Sequence, residues 1–263
     1  MQHQELDAPQ ELCHQVSGIW YREMDFGASP MAFEVLPDGN AELVFHFGSG
    51  CSLLIGGQPQ SLPSPFMVGL LKQPVYFQAE GRLQIIGVKC YPWAVYALLA
   101  LSAIQGGVQS LTHPIAALQS ALKRLLDLQD KAGALGLVRD WLIKNAVKDE
   151  RALITKAGKV MREENGALPV SSVAAAAHAT VRTLERQFKA STGHTVKDVS
   201  SLIGFEQARD RLWEEPHLAL AGLAEELGYA DQSHLNREFK RYSGLTAGAF
   251  ARQSKNQEKG TQR

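Results

Sequence analysis

A motif that occurs twice in the C-terminal part constrains the fold of this 263-residue chain more than any other feature. The pattern Leu-x-Arg-x-Phe-Lys begins at Leu184 and again at Leu235, and glycines follow the two copies at Gly193 and Gly244. Every matched pair is offset by 51 positions. Because the offset is constant over ten residues, the two segments are expected to adopt the same local structure.

A short apolar segment precedes each copy. Val173-Ala174 matches Leu223-Ala224 with an offset of 50, so one turn is a residue longer in the second copy. Each copy therefore predicts a short helix, a tight turn and a second helix that carries exposed Arg and Lys. This is the pattern of a helix-turn-helix, and two copies predict a chain that reads two neighbouring stretches of DNA major groove.

The second helix of each copy separates apolar from polar side chains. Leu184 and Phe188 are four residues apart and share the face that packs into the core, and Leu235 and Phe239 do the same. The remaining positions predict an exposed polar stripe, in which Arg suits guanine edges, Asn and Gln suit adenine, and Lys suits phosphates. The stripe contains Arg182, Glu185, Arg186 and Lys189 in the first copy and Gln232, Ser233, Asn236, Arg237 and Lys240 in the second.

The charge distribution supports this interpretation, although the net charge of the chain is zero. Residues 1–150 carry 10 Lys and Arg against 14 Asp and Glu, whereas residues 151–263 carry 17 against 13. The formal charges of the two parts are therefore −4 and +4, and the positive part contains the repeat.

The spacing of apolar and capping residues predicts an all-helical C-terminal domain at 151–253. We expect Ser171 to cap a short helix, Thr195 to cap a long one, and Asp231 to cap the second recognition helix. The polar tail 254–263 is predicted to be disordered. The expected helices are 154–164, 171–177, 181–190, 196–214, 218–227, 231–242 and 248–252.

Residues 152–253 resemble the AraC/XylS family of bacterial transcription regulators. The most specific part is DQSHLNREFKRYSG followed by LTAGAF. The resemblance implies two helix-turn-helix units joined by a linker helix, Val196–Glu214, and recognition helices at 181–190 and 231–242. Gly204 stands in that linker where the family often has Arg, and His178 stands at a turn where Gly is common. The positions that the resemblance assigns to base contacts are Val181, Arg182, Glu185, Arg186, Gln232, Ser233, His234, Asn236 and Arg237.

Residues 1–112 predict a β-rich domain. Alternation in 42–47 indicates a half-buried strand, and further strands are expected at 52–55, 66–70, 75–78 and 83–89, followed by a helix at 94–101. The segments EVLPDGNAELVFHFG and IIGVKCYPWAVYALL resemble the cupin-like N-terminal sensor domain of one AraC-type subgroup. The predicted fold class is therefore α+β with two domains: an N-terminal β-barrel or sandwich with trailing helices, and an all-α double helix-turn-helix.

Residues 113–150 predict a helical linker or dimerisation region. A stripe of leucines that includes Leu118, Leu122 and Leu125 forms the apolar face of a predicted helix. Such a face packs about as often against the core of its own domain as against a partner chain. We favour the dimer contact because the segment bridges two domains. The charged segment 147–152 is the expected boundary.

Metal, cofactor and catalytic sites are not expected. His46 is alone on its strand, and the next histidine is His113, so the His-x-His cluster of catalytic cupins is missing. Cys13, Cys51 and Cys90 are widely spaced and indicate a reducing compartment. Without a signal peptide or a membrane span, we expect a cytoplasmic protein that is not an enzyme.

The sequence thus predicts a sequence-specific, DNA-binding transcription regulator of the AraC type, controlled by a small-molecule effector at its N-terminal domain. Its expected partners are double-stranded DNA, an unidentified effector, RNA polymerase if the protein activates transcription, and a second copy of the chain. One alternative is a regulator whose N-terminal domain only dimerises. The other is a metal-dependent cupin enzyme fused to a DNA-binding domain.

Overall fold

The computed structural model describes residues 2–101, 107–146 and 152–261. In these ranges the first part of the chain forms ten strands that pair antiparallel. The strands are β1 Gln2–Asp7, β2 Val16–Asp25, β3 Met31–Val35, β4 Ala41–Gly48, β5 Ser52–Ile55, β6 Gln58–Ser61, β7 Phe66–Val68, β8 Val75–Ala79, β9 Arg82–Cys90 and β10 Val108–Ser110. They form a six-stranded sheet, in the order β1-β2-β9-β4-β7-β10, and a four-stranded sheet, in the order β3-β8-β5-β6. The predicted barrel or sandwich is confirmed.

The six-stranded sheet is buried on both faces. On one face Val44, Phe66 and Ile85 pack against Phe77 of the four-stranded sheet. On the other face Leu43, Phe45 and Ile86 belong to a separate apolar cluster together with helical residues. The prediction that residues 42–47 form a half-buried strand was therefore wrong about the second face, because the opposing sheet covers Val44.

The helices that follow the strands cover the outer face of the six-stranded sheet. The 3-10 helix Gln10–Leu12 connects β1 to β2, and α1 is short, spanning Val95–Leu98 rather than 94–101. A second 3-10 helix, Pro114–Leu118, leads into α2 Gln119–Asp127 and α3 Lys131–Asn145. The two predicted helices within 114–148 are present, and their apolar sides lie in the same cluster as β2, β4 and β9.

The leucine stripe that suggested a dimer contact lies in this core. Leu122 is fully buried against the sheet of its own chain, Leu126 is almost fully buried, and Leu118 and Leu125 are partly buried beside them. The prediction of a dimer contact through Leu122 was wrong, because the outer face of the sheet needs an apolar cover and the stripe supplies it. Dimerisation itself stays a prediction.

The rest of the described chain is helical. Its elements are α4 Ala152–Glu163, α5 Val170–Ala176, α6 Val181–Thr192, α7 Val196–Glu214, α8 Leu220–Glu226, α9 Gln232–Ser243 and α10 Ala247–Thr261. Thr195 caps α7 and Asp231 caps α9, as predicted. Ser171 is not a cap, because α5 begins one residue before it, after Pro169.

The C-terminal helix is longer than expected. We predicted a short helix at 248–252 and a disordered tail from 254, but α10 extends to Thr261. Thr246 caps its first turn by accepting a hydrogen bond from the Ala249 amide at 3.2 Å. Ser254 is almost fully buried and donates to the Phe250 carbonyl, which fixes the next turn.

The predicted boundary within 147–152 lies almost wholly outside the described residues. The apolar core of the helical part includes Leu70, Trp93 and Ala94 from the first part of the chain, so the two predicted domains share packed surface. The division at residue 150 therefore stays a prediction. None of the described helices is long and apolar enough to cross a membrane.

Candidate nucleic-acid interface and interior cavity

The two halves of the repeat have the same backbone geometry. The turn between α5 and α6 contains His178, with a φ of 55°, and the turn between α8 and α9 contains Gly228, with a φ of 74°. Both are in the left-handed region, where glycine is favoured and histidine is uncommon. The extra residue of the second copy, which changes the offset between the two copies from 50 to 51, therefore lies in this turn, as the sequence predicted.

Capping side chains start both recognition helices. The Thr183 amide donates to Thr180 Oγ1 at 3.2 Å, and the His234 amide donates to Asp231 Oδ1 at 2.7 Å. The helices α6 and α9 end at Gly193 and Gly244, whose φ angles of 76° and 74° allow a left-handed C-cap. Each recognition helix is thus 12 residues long.

The apolar side of each recognition helix is buried as predicted. Leu184, Phe188, Leu235 and Phe239 have exposed fractions of 0%, 0%, 0% and 1%. The pattern of exposed, half-buried and buried positions over residues 181–190 is repeated without change over residues 232–241. Both helices therefore present the same face to solvent.

Eight of the eleven predicted contact residues are exposed on that shared face. They occupy matched positions in the two helices, and no ion pair is recorded for their charged members in the described part of the chain. They are Val181, Arg182, Arg186 and Lys189 on α6 and Gln232, Ser233, Arg237 and Lys240 on α9.

The other three are half-buried and contact their own chain. Glu185 Oε2 accepts a hydrogen bond from the Val196 amide at 3.4 Å, and Asn236 Oδ1 accepts one from the Ala247 amide at 3.1 Å. These are matched positions, and each side chain satisfies a free amide at the start of the following helix. The expectation that Glu185 and Asn236 point outward was therefore wrong in this structure.

His234 is held against the turn that precedes α9. Its Nδ1 accepts a hydrogen bond from the Ala230 amide at 3.3 Å, and its ring meets the edge of Tyr229 with 5.4 Å between centroids. Burial raises the pKa of Tyr229, so this phenol stays neutral. The sequence spacing alone could not separate His234 from its exposed neighbours, because the packing partner lies in the turn.

The linker helix α7 holds the two units together. Thr195 and Asp198 form a capping box at its start, and hydrogen bonds from Thr195 keep the pKa of Asp198 below its ordinary value, although burial acts to raise it. Gly204 is buried in the middle of α7, where a Cβ would lie 3.2 Å from the Tyr229 hydroxyl. Gly204 thus permits the second unit to approach the linker closely.

An aromatic contact joins the strands to the first helix-turn-helix unit. The rings of Tyr91 and Trp93, just after β9, stack with centroids 5.0 Å apart, and Trp93 lies 6.5 Å from the ring of Phe188. A Cβ on Gly158 of α4 would lie 2.2 Å from the Trp93 indole, so glycine makes room for it. The indole is therefore part of the core beneath α6.

A polar contact joins the turn between β3 and β4 to α4 and α7. Arg162 pairs with Glu206 and donates to the carbonyl oxygen of Gly39, and its Nη2 also lies 3.1 Å from Asn40 Oδ1. Asn40 Nδ2 donates to Glu206 Oε1 at 3.1 Å. A Cβ on Gly39 would lie 2.6 Å from Arg162 Nη2, so a larger residue at position 39 would displace this guanidinium group. We call Gly39, Asn40, Arg162 and Glu206 the polar junction.

A cavity of about 60 Å³ lies between the two sheets and opens to solvent, and we call it the interior cavity. Its lining is aromatic and aliphatic apart from Glu42 and Cys51, and it consists of Trp20, Phe33, Val35, Glu42, Val44, Cys51, Phe66, Val68, Phe77 and Ile85. Burial, and the nearby charge of Asp38, raise the pKa of Glu42 to about 7. Burial raises the pKa of the Cys51 thiol to about 12, so it stays neutral.

The histidine and the cysteines that could have bound a metal or formed a redox pair do not lie together in a site. His46 Nε2 lies 3.1 and 3.2 Å from the carbonyl oxygens of Leu62 and Pro63, and burial lowers its pKa. Cys13, Cys51 and Cys90 are free thiols. Over the described ranges no group of three His, Cys, Asp or Glu side chains is placed to hold a metal ion.

Two family models match the chain. Residues 173–253 match a family described as a helix-turn-helix domain, and residues 4–106 match a domain of unknown function (DUF6597). No curated protein sequence matches the chain significantly.

Several solved structures have a similar arrangement. ToxT from Vibrio cholerae O395 is 10% identical, with 88% of this chain and 95% of that chain covered and a TM-score of 0.48. ToxT bound to (E)-4-(8-methylnaphthalen-1-yl)but-3-enoic acid is 11% identical, with 97% and 100% covered and a TM-score of 0.49. An AraC-type regulator from Chromobacterium violaceum is 18% identical, with 39% and 91% covered and a TM-score of 0.36.

The repeat, the paired recognition helices and the family match agree. The motif that begins at Leu184 and Leu235 forms two helix-turn-helix units with one burial pattern, and both lie within the matched residues 173–253, apart from the first residues of α5. The C-terminal part of the chain is therefore a double helix-turn-helix domain of the AraC type.

Proposed function

We propose that this regulator reads two neighbouring DNA segments with the exposed faces of α6 and α9. The observation that supports the proposal is the matched placement of Arg186 with Arg237 and of Lys189 with Lys240, all exposed. Such side chains suit guanine edges and phosphates when a recognition helix enters the major groove. Two units on one DNA face are expected to read grooves about 34 Å apart.

Not all predicted contacts keep the same role in this proposal. Val181, Arg182, Gln232 and Ser233 lie in the first turns of their helices and are exposed, as residues that reach base edges must be. Glu185, Asn236 and His234 act indirectly, because they cap or support the elements that position the helices. Their substitution is expected to alter stability together with DNA binding.

Arg237→Ala is expected to weaken binding to the cognate site by about 1–3 kcal/mol and to relax the preference at one base position. Lys240→Ala, on the same face, is expected to weaken binding to all sequences alike, because Lys contacts phosphates as a point charge. Binding of each variant to a randomised DNA library, followed by sequencing, measures both effects. If Arg237→Ala loses affinity uniformly over all sequences, Arg237 contacts only the backbone.

Salt is expected to weaken DNA binding steeply. If the two Lys at the matched positions each neutralise one phosphate, raising the salt concentration from about 50 to about 200 mM reduces affinity roughly tenfold, through release of counterions. Fluorescence anisotropy with the full-length protein and a labelled duplex measures the slope. A flat salt dependence contradicts the placement of these two side chains on the DNA backbone.

We further propose that a small molecule bound in the N-terminal domain controls DNA binding. The interior cavity supports this, because it is lined by apolar side chains around one titratable carboxyl group, a composition common in ligand sites. The aromatic contact and the polar junction supply a physical path to α4, α6 and α7. A ligand that changes both the melting temperature and the DNA affinity supports control by an effector.

The alternative in which the N-terminal domain only dimerises makes a different prediction. It requires a dimer that small molecules do not perturb, and sedimentation of the protein with and without DNA measures the mass directly. Because Leu122 is buried in its own chain, a dimer contact must use another surface. Contact with RNA polymerase belongs to the same proposal and requires that the protein activates transcription.

A further inference from the structure

A cleft of about 470 Å³ opens between the two helix-turn-helix units, beside the linker helix α7. One wall consists of residues 166–170, which lead into α5, and the other consists of the turn at 227–229 and one side of α9. We call it the linker cleft. Its polar side chains come from α7, the turn and α9 and include Lys197, Ser200, Tyr229, His234, Glu238 and Arg241.

The hydroxyl group of Ser200 lacks a partner in this cleft. Ser200 is 6% exposed, and its Oγ is buried without a hydrogen bond. The hydroxyl of the neighbouring Ser201, by contrast, hydrogen-bonds to Tyr242. A buried hydroxyl without a partner costs free energy. Ser200 therefore destabilises the free protein, and a ligand that accepts its hydrogen bond would remove that cost.

A second hydroxyl group in the cleft is also uncommitted. A Cβ on Gly204 of α7 would lie 3.2 Å from the Tyr229 hydroxyl, so glycine leaves this hydroxyl room beside the linker helix. Burial raises the pKa of Tyr229, so the phenol keeps its proton and can donate it. The Tyr229 ring meets the ring of His234, but in the described part of the chain its hydroxyl makes no hydrogen bond. Two hydroxyl donors on different elements thus line one cleft without partners.

The charged side chains give the cleft one excess positive charge. Lys197 is exposed and forms no ion pair within the described ranges. Arg241 Nη1 lies 3.5 Å from Glu238 Oε2, so these two charges balance each other. His234 adds no charge, because its Nδ1 accepts a hydrogen bond from the Ala230 amide and is therefore unprotonated. The charge of Lys197 remains for a ligand.

We propose that the linker cleft binds a phosphate group, which accepts hydrogen bonds from the hydroxyls of Ser200 and Tyr229 and pairs with Lys197. A phosphate has acceptor oxygens in several directions, so it suits donors on separate elements better than the two coplanar oxygens of a carboxylate. The volume of about 470 Å³ also leaves room for the organic group to which the phosphate is attached.

The position of the cleft favours the DNA backbone as the source of this phosphate. Arg241 follows Arg237 by one turn on the same side of α9, so the cleft adjoins the face that we propose to read DNA. The first helix of a helix-turn-helix crosses the DNA backbone, and the start of α5 lines the cleft. The source therefore rests on the proposed function, whereas a phosphorylated small molecule would satisfy the same groups without it.

The test compares Lys197→Ala and Ser200→Ala with Lys156→Ala in the full-length protein. Lys156 is exposed on α4, outside the cleft, so its removal changes the net charge equally. Calorimetric titration with pyrophosphate is expected to show binding that weakens at least fivefold in Lys197→Ala and Ser200→Ala but not in Lys156→Ala. Ser200→Ala is also expected to melt no lower than the parent, because it removes an unsatisfied hydroxyl.

Fluorescence anisotropy with a labelled duplex identifies the source. If the DNA backbone occupies the cleft, Lys197→Ala is expected to lower the slope of log affinity against log salt by about 0.9, as the loss of one phosphate contact requires. Ser200→Ala is then expected to weaken duplex binding as well. Variants that lose pyrophosphate but bind the duplex like the parent identify a small molecule as the source.

Two results overturn the phosphate site. One is the absence of pyrophosphate binding together with an unchanged salt slope in Lys197→Ala. The other is equal affinity of Ser200→Ala and the parent for both probes, because charge alone then explains any effect of Lys197. Lys240→Ala, measured beside them, reports on DNA reading alone. If it leaves duplex binding unchanged while pyrophosphate binding requires Ser200 and Lys197, the DNA-reading proposal fails and the phosphate site stands.

Discussion

Replacing Phe239 with alanine is expected to lower the free energy of unfolding by about 3–5 kcal/mol. The ring is 1% exposed and lies at the centre of an aromatic group, with its centroid 4.9 Å from that of Phe205 on the linker helix and 5.2 Å from that of Phe250 on α10. Its removal leaves a cavity between three helices that are held apart by other contacts. The loss is a large part of the stability of an ordinary domain.

Chemical unfolding followed by circular dichroism measures this loss, and Lys240→Ala is the matched control. Lys240 is the next residue on α9 and is exposed, so its truncation is expected to change stability by less than about 0.5 kcal/mol. DNA binding separates the two variants in a second way. Phe239→Ala loses binding because α9 loses its support, whereas Lys240→Ala loses it while folded. Equal stability of Phe239→Ala and the parent is incompatible with the buried position of the ring.

The recognition helices could be predicted from sequence because the same motif occurs twice, and a structure assigned to one copy must also fit the other. A single Arg or Lys on a helix is ordinary, but a repeated offset of 51 residues identified the helices, their buried faces and the cap Asp231. The roles of Glu185 and Asn236 were missed for a physical reason. Both sit on the edge of the polar stripe, and only the path of the following helix decides whether they meet solvent or a free amide.

The first domain was less predictable because its packing depends on contacts distant in sequence. Apolar and polar residues alternate poorly in β2, so this strand was not predicted. Its 10 residues nevertheless pair with both β1 and β9. Leu122 and its neighbours form the same stripe whether they cover a sheet or a partner chain. The YPW segment at residues 91–93 likewise gives no sign in sequence that its Trp belongs to the core of another domain.

The contact between the domains also escapes sequence analysis. Arg162, Glu206, Gly39 and Asn40 come from three separate segments, with up to 167 positions between them. None of them belongs to a motif that suggests an ion pair. The apolar and polar contacts nevertheless place the strands of the first domain directly against α4, α6 and α7.

Arg162→Ala is expected to lower the free energy of unfolding by about 3 kcal/mol. The side chain is 20% exposed and its partner Glu206 is 11% exposed, so its removal leaves a carboxylate that water reaches poorly. The carbonyl oxygen of Gly39 also loses its donor. The control is Arg139→Ala, which breaks a solvent-exposed contact with Asp140 and is expected to change stability by no more than about 1 kcal/mol.

A double variant separates the ion pair from other effects of truncation. In Arg162→Ala with Glu206→Gln, the unpaired buried charge is gone, so part of the lost stability is expected to return. Hydrogen exchange at the turn 37–40 is expected to rise in the single variant, because Arg162 ties this turn to α4 and orients Glu206 of α7 beside it. If Arg162→Ala and Arg139→Ala have the same small effect and exchange at the turn is unchanged, the polar junction does not hold the domains together. Coupling from the cavity to the recognition helices would then have to pass through the other contacts, among them Trp93 with Phe188 and Arg209 with the carbonyl oxygen of Pro37.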